Sequence, residues 1–160
     1  MKTLESETNS ELDKVNTWLA SNKLTLNIKK SKFMVFTNKK KHYHDILLKI
    51  NGNPLERCTS YKYLGIVMDD KLKWDDHIDY ICKKISKGCG ALVKMRHCAS
   101  LELLREIYYA LIYSYIRYGI TVWGNASEST LNPLRVLNHR AAHIMTFAPF
   151  GRIDMGPLMN

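Results

Sequence analysis

An α+β fold is expected for this chain: a small antiparallel β unit with one N-terminal helix, followed by three helices. Three observations predict it. Apolar residues recur at helical spacing over residues 4–21. Between residues 24 and 70 they alternate or run in short blocks broken by turn residues. From residue 75 to 145 the helical period returns. The expected division is therefore residues 1–70, residues 71–148 and an irregular tail, 149–160.

Leu4, Leu12, Val15, Trp18 and Leu19 define the first helix, with acids crowded early and Lys14 later, as a helix dipole favours. "LTLNI" at 24–28 alternates and reads as a strand, and "KFMVF" at 32–36 as another. "HDILLKI-NG-NPLERC" is a hairpin signal, because Asn51-Gly52 supplies the positive-φ pair of a tight turn. "YKYLGIVM" at 61–68 reads as a further β segment with Gly65 as a break or bulge.

Ile78, Ile81, Cys82, Ile85, Cys89 and Leu92 mark the next helix, with Asp75 and Asp76 in its first turn. A second begins after Ser100 as N-cap, carries Leu101, Leu104, Ile107, Leu111, Tyr115 and Val122, and runs to Gly124. A third is expected from Asn132-Pro133, a cap followed by a first-turn proline. "CAS" at 98–100 would join the first two as an antiparallel pair.

Hydrophobic residues make up 46% of the 160 residues, enough for a core, and argue against disorder. The net charge of +9 favours polyanionic partners, nucleic acid above all. Cys58, Cys82, Cys89 and Cys98 form no Cys-x-x-Cys pair, so no zinc site is expected. The longest apolar stretch, "IYYALIYSYI", is too short to span a bilayer, and the N-terminus has no signal-peptide core. No membrane partner and a cytoplasmic or nuclear location are therefore expected.

The run "IVMDD" at 66–70 invites a polymerase reading, since an apolar strand ending in paired aspartates can present metal ligands. Two-metal chemistry, however, needs carboxylates from at least two places. Upstream of Tyr61 the only aspartates are Asp13, in a polar helical run, and Asp45, at the start of a hairpin strand. No apolar strand comes after the pair. Asp69 and Asp70 therefore read as loop acids, and no metal site is expected.

Three ordered stretches carry a more specific likeness. "WLASNKLTLNIKKSKFMVF" contains Asn22, Leu24, Leu26, Asn27, Lys30 and Ser31 in the pattern N-x-L-x-L-N-x-x-K-S. "YKYLGIVMDDKLKWDDHI" contains Tyr63-Leu64-Gly65 and then Leu72, Trp74, His77 and Ile78. "YGITVWG" contains Tyr118, Gly119, Trp123 and Gly124. Together, over residues 9–147, they resemble the reverse transcriptase of non-LTR retrotransposons, the LINE and jockey-like elements. The resemblance assigns the first stretch to motif D, the second to motif E (the primer grip) and the start of the thumb, and the third to the thumb.

By that resemblance, residues 1–70 are the end of a polymerase palm and 71–148 a helical thumb. The family's motifs with the catalytic aspartates lie upstream of the tryptophan helix and are absent here. Magnesium and nucleotides are expected only for the complete polymerase, and this chain alone is expected to be inactive. Lys30 matches a lysine thought to protonate departing pyrophosphate. Residues 23–41 carry seven lysines and no acid, so a solvated lysine is the competing account. Tyr63, Leu64 and Gly65 match the primer grip, or are core strand residues. Lys83, Lys84, Lys87, Lys94 and Arg96, with no acid between residues 80 and 101, suit a helix that tracks a phosphate backbone. A solvated face is the competing account. The expected partners are an RNA template, a DNA primer and the missing palm and fingers. The alternative function is a free-standing basic nucleic-acid-binding or interaction module derived from such an element.

Overall fold

The computed structural model describes residues 2–37 and 46–146. The expected strand that opens at residue 44, Lys39 to Lys41 and the tail 149–160 lie wholly or partly outside the described residues. By its internal contacts the chain forms two compact units: Met1–Tyr61 with Asp69–Leu72, and Lys62–Met68 with Lys73–Asn160.

In the first unit, α1 (Lys2–Ser21) lies along β2 (Lys49–Ile50). Asn9 fastens the two. Its Nδ2 donates to the Leu47 carbonyl at 3.1 Å and its Oδ1 accepts from the Lys49 amide at 2.8 Å. Leu48 and Ile50 are buried, whereas Leu4, Val15 and Trp18 of α1 stay exposed, Trp18 by 60%. The apolar stripe that predicted this helix is thus mostly uncovered within its own unit.

β2 pairs antiparallel with β3 (Asn53–Pro54) across Asn51-Gly52, whose φ angles of 50° and 73° are those the hairpin reading required. β1 (Lys32–Phe33) pairs with β4 (Glu56–Arg57) in parallel, Lys32 opposite Glu56. The β unit is therefore not wholly antiparallel. The strand expected at 24–28 does not form. Asn27 instead caps a 3₁₀ turn, Ile28–Lys30, its side chain accepting from the Lys30 amide. A short polar side chain offered the backbone a local partner and diverted it from a ladder.

"YKYLGIVM" is two strands, not one. β5 (Ser60–Tyr63) and β6 (Ile66–Asp69) pair as a hairpin with Leu64-Gly65 as its turn. Asp69 is the last residue of β6 and Asp70 lies in the turn beyond it. The Asp69 carboxylate accepts from the Lys71 amide at 2.9 Å, a loop-capping contact.

The second unit is built on α2 (Asp75–Met95) and α6 (Glu128–Thr146), which pack together. Ile78, Ile81, Ile85, Cys89 and Leu92 of α2 are buried as their spacing predicts. The helix expected from Ser100 to Gly124 is interrupted. Ser100 does cap α3 (Leu101–Tyr108), accepting from the Leu103 amide. A π turn, Tyr109–Tyr113, then leads into α4 (Ser114–Arg117), and α5 (Ile120–Trp123) follows only after a break. The wider turn adds a residue to the spiral and rotates the face. Leu111 and Val122, within and beyond that turn, are therefore exposed; Leu101, at the start of α3, is exposed as well, and Leu104, Tyr108, Ile112 and Trp123 take the core.

α6 starts before the position expected from Asn132-Pro133. Ser127 Oγ accepts from the Thr130 amide at 3.2 Å, and Pro133 sits inside the helix. Within the core, Tyr108 donates to Asn138 Oδ1 at 2.8 Å, which satisfies two buried polar groups at once.

Candidate nucleic-acid interface

The charged part of the candidate interface is on α2. At about 100° per residue, Lys83, Lys87 and Lys94 fall within roughly 40° of one another. All three are exposed. Lys84 is half-buried to one side, and Arg96, half-buried past the end of α2, falls roughly opposite the stripe. The five basic residues of the sequence reading are thus not one face: three share a stripe, one flanks it and one does not. The acids of α2 (Asp75, Asp76 and Asp79) occupy its start, so the basic stripe begins at Lys83.

Lys84 has a different neighbour. Its Nζ lies 5.7 Å from the centre of the Tyr80 ring, and Lys62 Nζ lies 4.2 Å above the same ring. Lys62 also donates to the Tyr80 hydroxyl at 2.8 Å, and this bond, foremost, holds the phenol below its ordinary pKa. Neither Lys62 nor Tyr80 stood out in the sequence. A lysine between two tyrosines on a strand gives no sign of which aromatic ring it will reach.

The turn Leu64-Gly65 stands beside this pair. Leu64 has φ 46° and Gly65 φ 89°, the positive values a two-residue type I′ turn requires. Asn-Gly adopts that geometry readily. A leucine there costs roughly 1–2 kcal/mol through the clash of its Cβ with the backbone. The Leu64 side chain is not repaid by burial, since it is 72% exposed, and Tyr63 is exposed beside it. Of the two accounts of Tyr63, Leu64 and Gly65, a core-strand role therefore does not fit the first two. A cavity of about 300 Å³ opens next to the turn, lined by Leu64, Gly65, His77, Tyr80, Tyr115 and Tyr118 among others.

His77 ties β6 to α2. Only 1% exposed, it accepts from the Val67 amide at Nδ1, 3.3 Å away, and packs edge-on to Trp123 with ring centroids 5.6 Å apart. Accepting at Nδ1 places the proton on Nε2, which has no partner among the described residues. Burial lowers the pKa of the imidazole below its ordinary value of 6.5. The unfolded chain then takes up a proton at a higher pH than the folded one. The stability this neutral histidine carries is complete above about pH 6.5 and is lost as pH falls below it toward the folded pKa. One proton can contribute at most about 1.4 kcal/mol per pH unit. In thermal melts between about pH 7 and pH 5, the His77→Phe chain is expected to lose less stability than the parent. Parallel slopes would contradict this account of His77.

Lys30 lies in the other unit, at the exposed end of the 3₁₀ turn. Its carbonyl accepts from the Tyr61 hydroxyl at 3.4 Å, so the backbone is placed while the ammonium is left in solvent. Among the described residues, no group of three or more His, Cys, Asp or Glu is arranged to hold a metal ion. No helix among them is long and apolar enough to cross a membrane.

Sequence comparison gives this geometry a setting. The chain is 29% identical over 142 residues to the RNA-directed DNA polymerase from mobile element jockey of Drosophila melanogaster, covering 87% of this chain and 15% of that protein. The corresponding polymerase of Drosophila funebris is 29% identical over 143 residues, again 87% and 15% of the two chains. The probable RNA-directed DNA polymerase from transposon BS of D. melanogaster is 27% identical over 106 residues, 64% and 12%. The chain is thus similar over most of its length to RNA-directed DNA polymerases of jockey and other mobile elements, the likeness that its three ordered motifs implied. It spans about 15% or less of the length of these relatives. No family model matches the chain. No solved structure matches it either.

Proposed function

We propose that this chain is the template–primer-contacting part of a retrotransposon RNA-directed DNA polymerase: the end of the palm, with motifs D and E, and a helical thumb. The observation that carries the reading is the exposed stripe of Lys83, Lys87 and Lys94 on a long helix, in a chain similar over 87% of its length to such polymerases. A row of cations at the helical repeat can follow a phosphate backbone without reading bases. The turn at Tyr63, Leu64 and Gly65 supplies a second, apolar contact, and Lys30 a further cation toward phosphate. The catalytic aspartates belong to a region outside the similarity to motifs D and E, so binding of an RNA–DNA hybrid is the activity expected of the chain itself.

The chemistry is tested by primer extension. With template, primer, nucleotides and magnesium, the purified chain is expected to extend nothing, because Asp69 and Asp70 come from one place and Asp69 serves its own loop. Extension that disappeared in the Asp69→Asn, Asp70→Asn double variant would overturn this assignment.

A further inference from the structure

The signature Tyr118-Gly119-x-x-x-Trp123-Gly124 lies apart from the basic stripe, and the geometry gives it a role of its own. α4 ends at Tyr118, whose backbone is extended (ψ 114°), and Gly119 follows with φ 66°. This break turns the Tyr118 side chain onto the hairpin. Its hydroxyl donates to the Leu64 carbonyl. Its ring lies against Gly65, where an added Cβ would stand 3.3 Å from Cε1. Gly119 is just as tightly met from the other side, since a Cβ there would come within 2.6 Å of Ile66 Cδ1. Trp123, 1% exposed, fixes the Tyr118 backbone by donating from Nε1 to its carbonyl at 3.0 Å. The same indole packs on His77, which holds the Val67 amide. Tyr118, Gly119 and His77 thus meet residues 64–67, and Trp123 braces Tyr118 and His77 from behind.

We propose that Tyr118 is the positioning residue of the Leu64-Gly65 turn, clamping a leucine in a left-handed conformation so that its exposed side chain is presented to the template–primer. The clamp follows from the contacts alone; presentation to nucleic acid rests on the function proposed above. The unusual residue in the turn is the reason for a clamp. Asparagine tolerates this conformation by itself, and Asn51-Gly52 adopts it in this chain with only a local bond among the described residues, Asn53 Nδ2 donating to the Asn51 carbonyl at 2.9 Å, and no clamp from a distant helix. A leucine kept there against its backbone preference, and left in solvent, has its use in what it touches.

The test uses the full 160-residue chain, three variants and two readouts: site-resolved amide exchange, and affinity for a fluorescent RNA–DNA hybrid. Tyr118→Phe keeps the ring on Gly65 and removes only the donor. It should speed exchange at Ile66 and Val67, whose amides lie in β6 and on His77 Nδ1, about tenfold while the α2 core amides stay slow. Leu64→Asn should keep slow exchange and its melting temperature yet bind the hybrid more weakly. The double variant should return to slow exchange, because asparagine does not need the clamp, without regaining affinity. Unchanged exchange in Tyr118→Phe, or no recovery in the double variant, overturns the clamp. Parental affinity in Leu64→Asn overturns the presentation. A parent chain that fails to bind the hybrid overturns the nucleic-acid function and the presentation with it, while the exchange results still decide the clamp.

Discussion

Reversing the three stripe lysines, Lys83→Glu, Lys87→Glu and Lys94→Glu, is expected to weaken hybrid binding roughly 10²-fold at about 0.15 M salt. The magnitude follows from counterion release. Each phosphate contact contributes about 0.9 to the slope of log affinity against log salt. Three contacts contribute about 2.7, which from 1 M down to 0.15 M salt amounts to a factor of roughly 10². Repulsion from the new carboxylates adds to that loss. The exchange should cost the fold little, since all three side chains are exposed and surface changes are usually within about 0.5 kcal/mol each. Lys39→Glu, Lys40→Glu and Lys41→Glu in the lysine-rich stretch make the matched control of equal net charge. Equal weakening by both triples would mean that overall charge drives binding, and the α2 stripe would lose its assigned role.

The largest effect on stability is expected from Trp123→Ala. The indole is buried among the residues of the α2 core, packs on His77 and holds the Tyr118 carbonyl. Removing a buried tryptophan costs about 3–5 kcal/mol, against a total stability of about 5–15 kcal/mol for a typical domain. For a unit of this size that is a fall in melting temperature on the order of 20 °C. Trp18→Ala is the comparison. It is the same change on a residue 60% exposed in the other unit, and it should stay within about 0.5 kcal/mol. Similar melting shifts from the two would show that the burial of Trp123 does not carry the energetics described here.

Long, clean periods were legible in the sequence. The buried face of α2 and the Asn51-Gly52 hairpin follow directly from spacing and turn chemistry. Short or mixed signals were not. Five alternating residues at 24–28 read as a strand because nothing in the period shows that Asn27 will cap a 3₁₀ turn. The segment after Ser100 kept a helical look through a π turn and a break at Gly119, since both shift the face without changing the residue types. Pro133 resembled a first-turn proline, while the cap was Ser127, one turn or more earlier.

The site divided along the same line. Lys83, Lys87 and Lys94 share a face by arithmetic that spacing alone supplies, and Arg96 falls off it by the same arithmetic. Leu64-Gly65 looked like a bulge because leucine is not a turn residue, and its exposure emerged only with the hairpin. Tyr118 was one of five tyrosines at 108–118, and only the break at Gly119 separates it from Tyr108, which is core. His77 had a motif match but no sign that its Nδ1 would be spent on a strand amide.

The central claim is that this chain contacts a template–primer through its backbone phosphates. The most direct measurement is the affinity of the purified chain for RNA–DNA hybrids of unrelated sequence, titrated from about 0.05 M to 0.5 M salt, beside the Lys83, Lys87, Lys94 reversal. The account predicts one straight line of log affinity against log salt for all sequences, and a slope shallower by up to about 2.7 in the variant. Affinity that ignored salt, or a slope that the reversal left unchanged, would contradict it.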